Sequence, residues 1–317
     1  MKDLFRSPRT WLAAVTLLLL ASVPVVATAM GQPFYLTLFL RIMIYALAAQ
    51  SLNFILGYGG LVSFGHALYL GVGAYAVAIL SSVGVTNGWV HLAAALGVAV
   101  VVSLFTGVIS LRTTGIAFIM ITLAFAQMFF FLAVSLKQFG GDEGMTIPQQ
   151  SDFGPLHLEH KAVFYYTVLA LLLLALYGSR RLIESRFGMV LRGAMGNERR
   201  MRALGFPTLR YRLTGYVLSA CLCSVAGLLL ANLTTFASPD YMAWTRSGEL
   251  IVMVVLGGMG TLSGPIVGAT VLILLEEFLS VFTDHWMVVL GPIIVLIALL
   301  AKRGIVGLVP GTKRGAE

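Results

Sequence analysis

A chain of 317 residues that is 59% hydrophobic and only 11% charged has too few charges to coat a water-exposed domain of its own size, since soluble domains carry about 25% charged residues. Lipid is therefore the solvent for most of its surface, and an ordinary soluble enzyme is excluded. The net charge of +8 would suit nucleic acid if it were spread over one face, but nine arginines crowd into residues 180–212 and most other basic residues sit at the chain ends, the asymmetry of a membrane protein whose basic loops lie inside.

A helix that crosses a bilayer needs about 20 mainly apolar residues. On that ruler the chain predicts spans at 11–30, 34–56, 61–81, 91–111, 115–136, 162–178, 211–236, 248–262, 264–283 and 286–301. The expected fold is an all-α, polytopic membrane bundle of eight to ten transmembrane helices, because the eighth segment is short and the 34–81 stretch divides in more than one way. Residues 1–33 form an N-terminal segment and first span, 34–303 the membrane domain, and 304–317 a C-terminal tail. The first span begins with Lys2, Arg6 and Arg9 and carries Ala27-Thr28-Ala29, which would suit a cleavage site; its long apolar stretch and the many spans behind it read instead as a retained anchor.

One topology satisfies every loop. With the N-terminus inside, the inner segments hold Lys2, Arg6 and Arg9, then Arg112, the arginine-rich loop, and Lys302, Arg303, Lys313 and Arg314. The outer segments hold only Lys137, Lys161 and Arg246 among six carboxylates. Both ends are expected in the cytoplasm of a cell bounded by this membrane.

Taken in chain order, the first irregularity is Gly57-Tyr58-Gly59-Gly60-Leu61-Val62-Ser63-Phe64-Gly65-His66, which interrupts an apolar run. Gly257-Gly258-Met259-Gly260-Thr261-Leu262-Ser263-Gly264-Pro265 echoes it, with Gly60 against Gly260 and Ser63 against Ser263, each 200 positions apart. Glycines in membrane helices often serve close packing. Paired interruptions in two halves suggest broken helices that line a solute path, with Gly59, Gly60, Gly65, Gly257, Gly258 and Gly260 as the breaks, in parallel or inverted repeats.

Polar residues inside the spans are Arg41, Gln50, Asn53, His66, Gln127, Asn232, Glu276 and Glu277. A charge at mid-bilayer costs about 2.5–3.5 kcal/mol on insertion scales, so such residues rarely face lipid. Arg41 is close enough to a span end to snorkel, whereas Glu276 and Glu277 lie deeper. Gln50, Asn53 and Asn232 read first as interhelical hydrogen-bonding groups. His66 adjoins the break and reads equally as a site residue or a satisfied core histidine. Cys221 and Cys223 stand two apart on one helix, pointing to different faces, and read as packing residues.

The inner loop, about 179–210, mixes Glu184, Arg186, Arg192, Glu198 and Arg202 with Phe187, Val190, Leu191, Met195, Ala203 and Leu204. That pattern predicts short amphipathic helices punctuated by Gly196 and Gly205-Phe206-Pro207, packed against something. The chain has no phosphate-binding Gly-x-x-x-x-Gly-Lys-Ser/Thr loop, no zinc-helix motif and no Gly-x-Ser-x-Gly elbow, so neither nucleotide binding nor enzymatic chemistry has visible residues.

The run Leu52-Asn53-Phe54-Ile55-Leu56-Gly57-Tyr58-Gly59-Gly60-Leu61-Val62-Ser63-Phe64-Gly65-His66-Ala67, continued by Gly71-Val72-Gly73-Ala74-Tyr75, resembles the signature of branched-chain amino-acid ABC transporter permeases. Gly140-Gly141-Asp142-Glu143-Gly144, Glu184-Ser185-Arg186-Phe187-Gly188 with Leu191-Arg192, Asn197-Glu198 and Ala203-Leu204-Gly205, and the Gly257–Pro265 run are similar to the LivM-type branch, and the resemblance covers about 34–303. It implies an inner-membrane subunit that pairs with a LivH-type permease, two cytoplasmic P-loop ATPases that bind the ATP, and a periplasmic solute-binding protein. This chain would then hold no cofactor and contact lipid, not nucleic acid. The resemblance gives the inner loop the part of a coupling helix, with Leu191, Arg192, Glu198, Leu204 and Gly205 against the ATPase. Arg199-Arg200-Met201-Arg202 is more basic than relatives usually are, suggesting an acidic groove on that partner. Asn53, Ser63, His66 and Gln127 are expected to face the path. Two other readings remain: an ion-coupled secondary transporter using Glu276 and Glu277, and a permease of the same family for urea or short amides.

Overall fold

The computed structural model describes residues 22–24, 33–154, 160–283, 285–300 and 304–308. Apart from a helical 22–24, the predicted first span with Lys2, Arg6, Arg9 and Ala27-Thr28-Ala29 lies outside these residues, as do Lys302, Arg303, Lys313 and Arg314.

The described helices are α1 (Pro33–Leu56), α2 (Ala67–Ser82), α3 (Gly88–Ser110), α4 (Ile116–Ser135), α5 (Lys161–Glu184), α6 (Arg186–Gly196), α7 (Glu198–Ala203), α8 (Thr208–Thr234), α9 (Trp244–Gly257), α10 (Gly264–Phe282) and α11 (Trp286–Leu300). Six of them, α1, α3, α4, α5, α8 and α10, are long and apolar enough to cross a membrane, and α2 and most of α11 are shorter apolar helices. Every predicted span from 34–56 onward has a helix, but three boundaries move. The helix expected from residue 61 starts at Ala67 because the break occupies the interval. α9 ends at Gly257, not 262, where the second break begins. α5 runs on to Glu184, since Arg180, Arg181 and Glu184 leave the lipid without leaving the helix; Arg180 Nε donates to Glu184 Oε1 at 2.9 Å one turn on.

α8 sits between α1, α2 and α3, while α1 packs in addition on α5, α9 and α10. The most apolar window of α1 is 89% buried inside the protein, against 22% for α4. The α2–α8 crossing is a backbone-to-backbone contact: a Cβ on Gly73 would run into the Ser224 carbonyl, and one on Gly227 into the Leu70 carbonyl. Small residues here replace the hydrophobic drive that lipid removes, since close approach maximises dispersion contact. Outward faces carry large apolar side chains such as Val101, Phe105, Ile116, Phe131, Phe278 and Phe282, as a lipid or partner face requires.

One end of the bundle is closed by a ribbon of β1 (Met145–Thr146) and β2 (Phe236–Ala237), antiparallel with Met145 opposite Ala237, beside a helical turn at Pro239–Met242. Asn232 ties this end down: its Oδ1 accepts from Ser151 N at 2.8 Å, and its carbonyl accepts from Gln150 Nε2 at 3.0 Å. Its partners are thus a loop rather than another helix. α6 and α7 form the opposite end.

Candidate functional site

The first break joins α1 to α2. Gly60 takes the left-handed conformation (φ +67°), and Leu61 N reaches back to Ile55 O at 3.0 Å, so α1 closes on itself and the chain turns away. The following residues are pinned to α4, where Phe64 N donates to Thr122 Oγ1 at 3.2 Å and a Cβ on Gly65 would meet the Thr122 carbonyl at 2.5 Å. Ser63 turns inward and its Oγ accepts from Gly65 N at 3.3 Å. Ala67 N, the first donor of α2, is met by Ser247 Oγ from α9 at 2.9 Å.

The second break joins α9 to α10 at the same level. Gly258 and Gly260 both have positive φ (+123° and +73°), and Thr261 Oγ1 accepts from Gly264 N at 3.0 Å while donating to Gly258 O at 2.8 Å, which caps α10. Gly257 lies against the Gly264 carbonyl, so α9 and α10 turn on one another with almost no separation.

The two breaks touch. Asn53 Oδ1 accepts from Gly260 N at 3.0 Å and Asn53 Nδ2 donates to Thr261 O at 2.9 Å, so one amide from the last turn of α1 serves both backbone groups of the other break. Gly57 has no side chain because a Cβ there would stand 2.5 Å from Gly260 N. The C-terminal ends of α1 and α9 therefore meet, and Tyr45 and Arg246 are electrostatic neighbours further back along the same two helices. The two broken units run in the same sense, which the sequence left open.

Behind the first break lies a buried polar chain. His66 Nε2 is 2.9 Å from Ser51 Oγ and 3.3 Å from Ser219 Oγ. Both hydroxyl protons are already committed to backbone carbonyls, Ser51 to Ala48 O and Ser219 to Ser51 O, so Nε2 must carry the imidazole proton. Nδ1 is then a buried acceptor with no partner among the described residues. Tyr69 continues the chain to Thr106 Oγ1 at 2.8 Å and to Tyr216 OH at 3.0 Å. Cys223 is buried against the His66 carbonyl. Asn53, Ser63 and His66 are all fully enclosed, while Gln127 is half-buried on α4. Gln50 is also fully enclosed, and its amide finds no partner among the described residues.

The inner loop forms the two expected short helices, ending at Gly196 and just before Leu204-Gly205, with Asn197 Oδ1 accepting from Arg200 N at 3.0 Å to cap α7. α6 turns Gly188, Val190, Leu191 and Ala194 into the bundle. Leu191 is thus part of the protein's own core, and Arg192 bonds back to Gly188 O and Ile183 O. Glu198 is the knot of the loop: Arg212 Nη1 donates to its Oε2 at 2.6 Å, and Arg202 Nη2 and Thr208 Oγ1 donate to its Oε1 at 2.5 and 3.1 Å. Burial pushes its carboxyl up, but Arg212 and the bonds from Arg202 and Thr208 outweigh this and hold it below the usual carboxylate value. Leu204, Gly205 and Phe206 project outward beside Arg199 and Arg200.

This loop is wired to the first break. The Met195 side chain fills the space in front of Gly60, Phe187 stacks on Phe54 of α1 at 6.5 Å, and Arg212 Nη2 donates to Ala194 O at 3.0 Å. Sequence reasoning missed Thr122, Ser51, Ser219 and Thr261, ordinary hydroxyl residues whose importance comes only from where they stand. It counted Arg212 as one more loop charge.

Paired helix breaks in contact, joined to two surface helices at one end of a bundle with six membrane-length helices, place the chain among multi-pass membrane proteins of the transporter class. The chain belongs to the family described as branched-chain amino acid transport system / permease component, which matches residues 34–298. It is 27% identical over 287 residues to the high-affinity branched-chain amino acid transport system permease protein LivM of Salmonella typhimurium and to that of Escherichia coli K12, covering 83% of this chain and 68% of each relative. It is also 25% identical over 285 residues to LivH of Escherichia coli K12, covering 83% of this chain and 91% of that one. No solved structure matches.

Proposed function

We propose that this chain is one of two permease subunits of an ATP-driven importer of branched-chain amino acids in the inner membrane, with both termini in the cytoplasm. It moves the solute and does no covalent chemistry; hydrolysis belongs to two cytoplasmic ATPases, and the solute arrives on a secreted binding protein. The observation that carries this is the link from α6–α7 to Gly60 through Met195. An exposed surface of Met195, Leu204 and Phe206 among Arg199 and Arg200 suits an acidic, partly apolar groove on a soluble partner. Pulling that surface moves the loop as one body, because Glu198 and Arg212 lock it to the base of α8, and the motion reaches the breaks directly.

In this reading the residues expected at the ATPase divide in two. Leu204 and Gly205 meet the partner, while Leu191, Arg192 and Glu198 position the lever. Likewise Gln127, on the thinly covered α4, faces the path, and Asn53, Ser63 and His66 hold the break that borders it. The test is uptake of radiolabelled leucine by proteoliposomes holding the chain, its companion permease, both ATPases and the binding protein. Uptake is expected only with ATP and the loaded binding protein, and Leu204→Arg is expected to lower it at least tenfold while the chain still accumulates. Uptake by the purified chain alone, driven by a proton or sodium gradient, overturns the proposal, and uptake of urea or acetamide in preference to leucine overturns its choice of solute.

A further inference from the structure

At the ribbon end of the bundle the structure gathers charges that the sequence scatters over 236 positions. Arg41 lies about 12 Å along α1 from its start at 1.5 Å per residue. Its Nη2 donates to Glu276 Oε1 of α10 at 3.3 Å. In the first turn of α9, Arg246 Nη1 donates to both oxygens of Glu249 at 3.0 and 2.9 Å. The two pairs lie within electrostatic reach of each other: Arg246 feels the charge of Glu276, and Tyr45 between them feels Arg41, Arg246 and Glu249.

Two features distinguish this cluster from an interhelical staple. The side chains stay open, at 37% and 27% exposure for Arg41 and Glu276 and 34% and 42% for Arg246 and Glu249. Four charged side chains, half-exposed on one face of a membrane bundle, are costly against hydrocarbon and suit a polar solute path better than lipid. The Arg41–Glu276 contact is long and single, where a committed guanidinium–carboxylate pair is bidentate at about 2.7–2.9 Å. Arg41 therefore keeps donors for a second carboxylate, and Glu276 keeps an oxygen for a second cation.

We propose that Arg41 and Glu276, flanked by Arg246 and Glu249, form a binding station for a zwitterionic α-amino acid, with the guanidinium taking its carboxylate and the glutamate its ammonium. The proposal rests on the reading of the chain as an amino-acid permease and adds where the charged end of the cargo is held. A zwitterion inserted between the two groups replaces one ion pair by two, so no charge is left uncompensated when the cargo enters or leaves. Recognition of the charged end leaves the cargo's side chain free to vary among aliphatic types. The station lies at the end opposite the lever, where a solute enters before the breaks are disturbed.

The test uses the complete reconstituted complex and the double variant Arg41→Met/Glu276→Met. A partly exposed ion pair contributes little to stability, so replacing it by apolar groups of similar volume costs little. The variant is expected to accumulate in the membrane and melt no lower than the unaltered chain, yet to take up radiolabelled leucine at least tenfold more slowly. A smaller fall overturns the proposal and leaves the pair as an α1–α10 staple. If the double variant does not accumulate, the isosteric Glu276→Gln is judged by the same tenfold threshold. Failure of the unaltered complex to carry leucine would instead strike the permease reading itself, and that is seen before any variant is made.

Discussion

The two helix breaks have the same glycine signature and end up in different surroundings. The first is the more enclosed, with Gly60 as its exposed corner: Thr122 holds it to α4, Ser247 receives the start of α2, and the His66 chain fills the space behind. The second is half-open, with Met259 56% exposed, and its hold on the first is the single amide of Asn53 together with backbone contact at Gly57. The first break is the one that the α6–α7 loop touches at Gly60, and the second is tethered to it by few bonds, so a shift of one against the other would change only those bonds. Sequence symmetry says that two interruptions exist; the asymmetry of their packing says which is more loosely held.

That contrast can be broken most severely at Gly57. In Gly57→Ala the new methyl meets both the Asn53 amide oxygen and the Gly260 backbone, so the Asn53 bridge is displaced and the breaks are pushed apart. Overpacking of this kind costs about 1–3 kcal/mol or more. The expected result is a lowered melting temperature in detergent, with hydrogen exchange accelerated in 257–264; an unchanged melt would mean that the two breaks do not touch. Asn53→Ala should come next, at about 1–3 kcal/mol, since it orphans the Gly260 N–H and the Thr261 carbonyl together. Exchange should quicken in the second break and stay slow in 61–67, and equal loosening of both would erase the distinction drawn here.

The smallest effect concerns the lever. Because the Glu198 carboxyl is held below its ordinary value of 4.5, its contribution is fully present above that value and is lost as the pH falls through the lower, folded-state one. Protection of the α7 amides should therefore decline on acidification below about pH 4.5, while the α2–α8 core keeps its protection. Glu198→Gln should flatten this dependence. A lever whose protection is indifferent to both pH and the substitution would show that Arg212 and Arg202 do not lock it.

Much of this protein is legible in one dimension. Hydropathy fixes the solvent and, from residue 34 onward, the helices and most of their bounds, since twenty apolar residues in a row have few other places to go. Glycine runs mark the breaks because only glycine tolerates the left-handed turns at Gly60 and Gly260. The mixture of apolar and basic residues in 179–210 announces short surface helices, the first ending at Gly196 and the second two residues before Gly205. Pairing is another matter. That Asn53 binds residues 207 and 208 positions away, that Arg41 meets Glu276 across 235, that Leu191 points into its own core, and that the two broken units run in the same sense were all decided by tertiary packing. A hydropathy pattern is a property of neighbours along the chain, whereas the partner of a polar group is set by which backbones approach closely enough to exclude everything else.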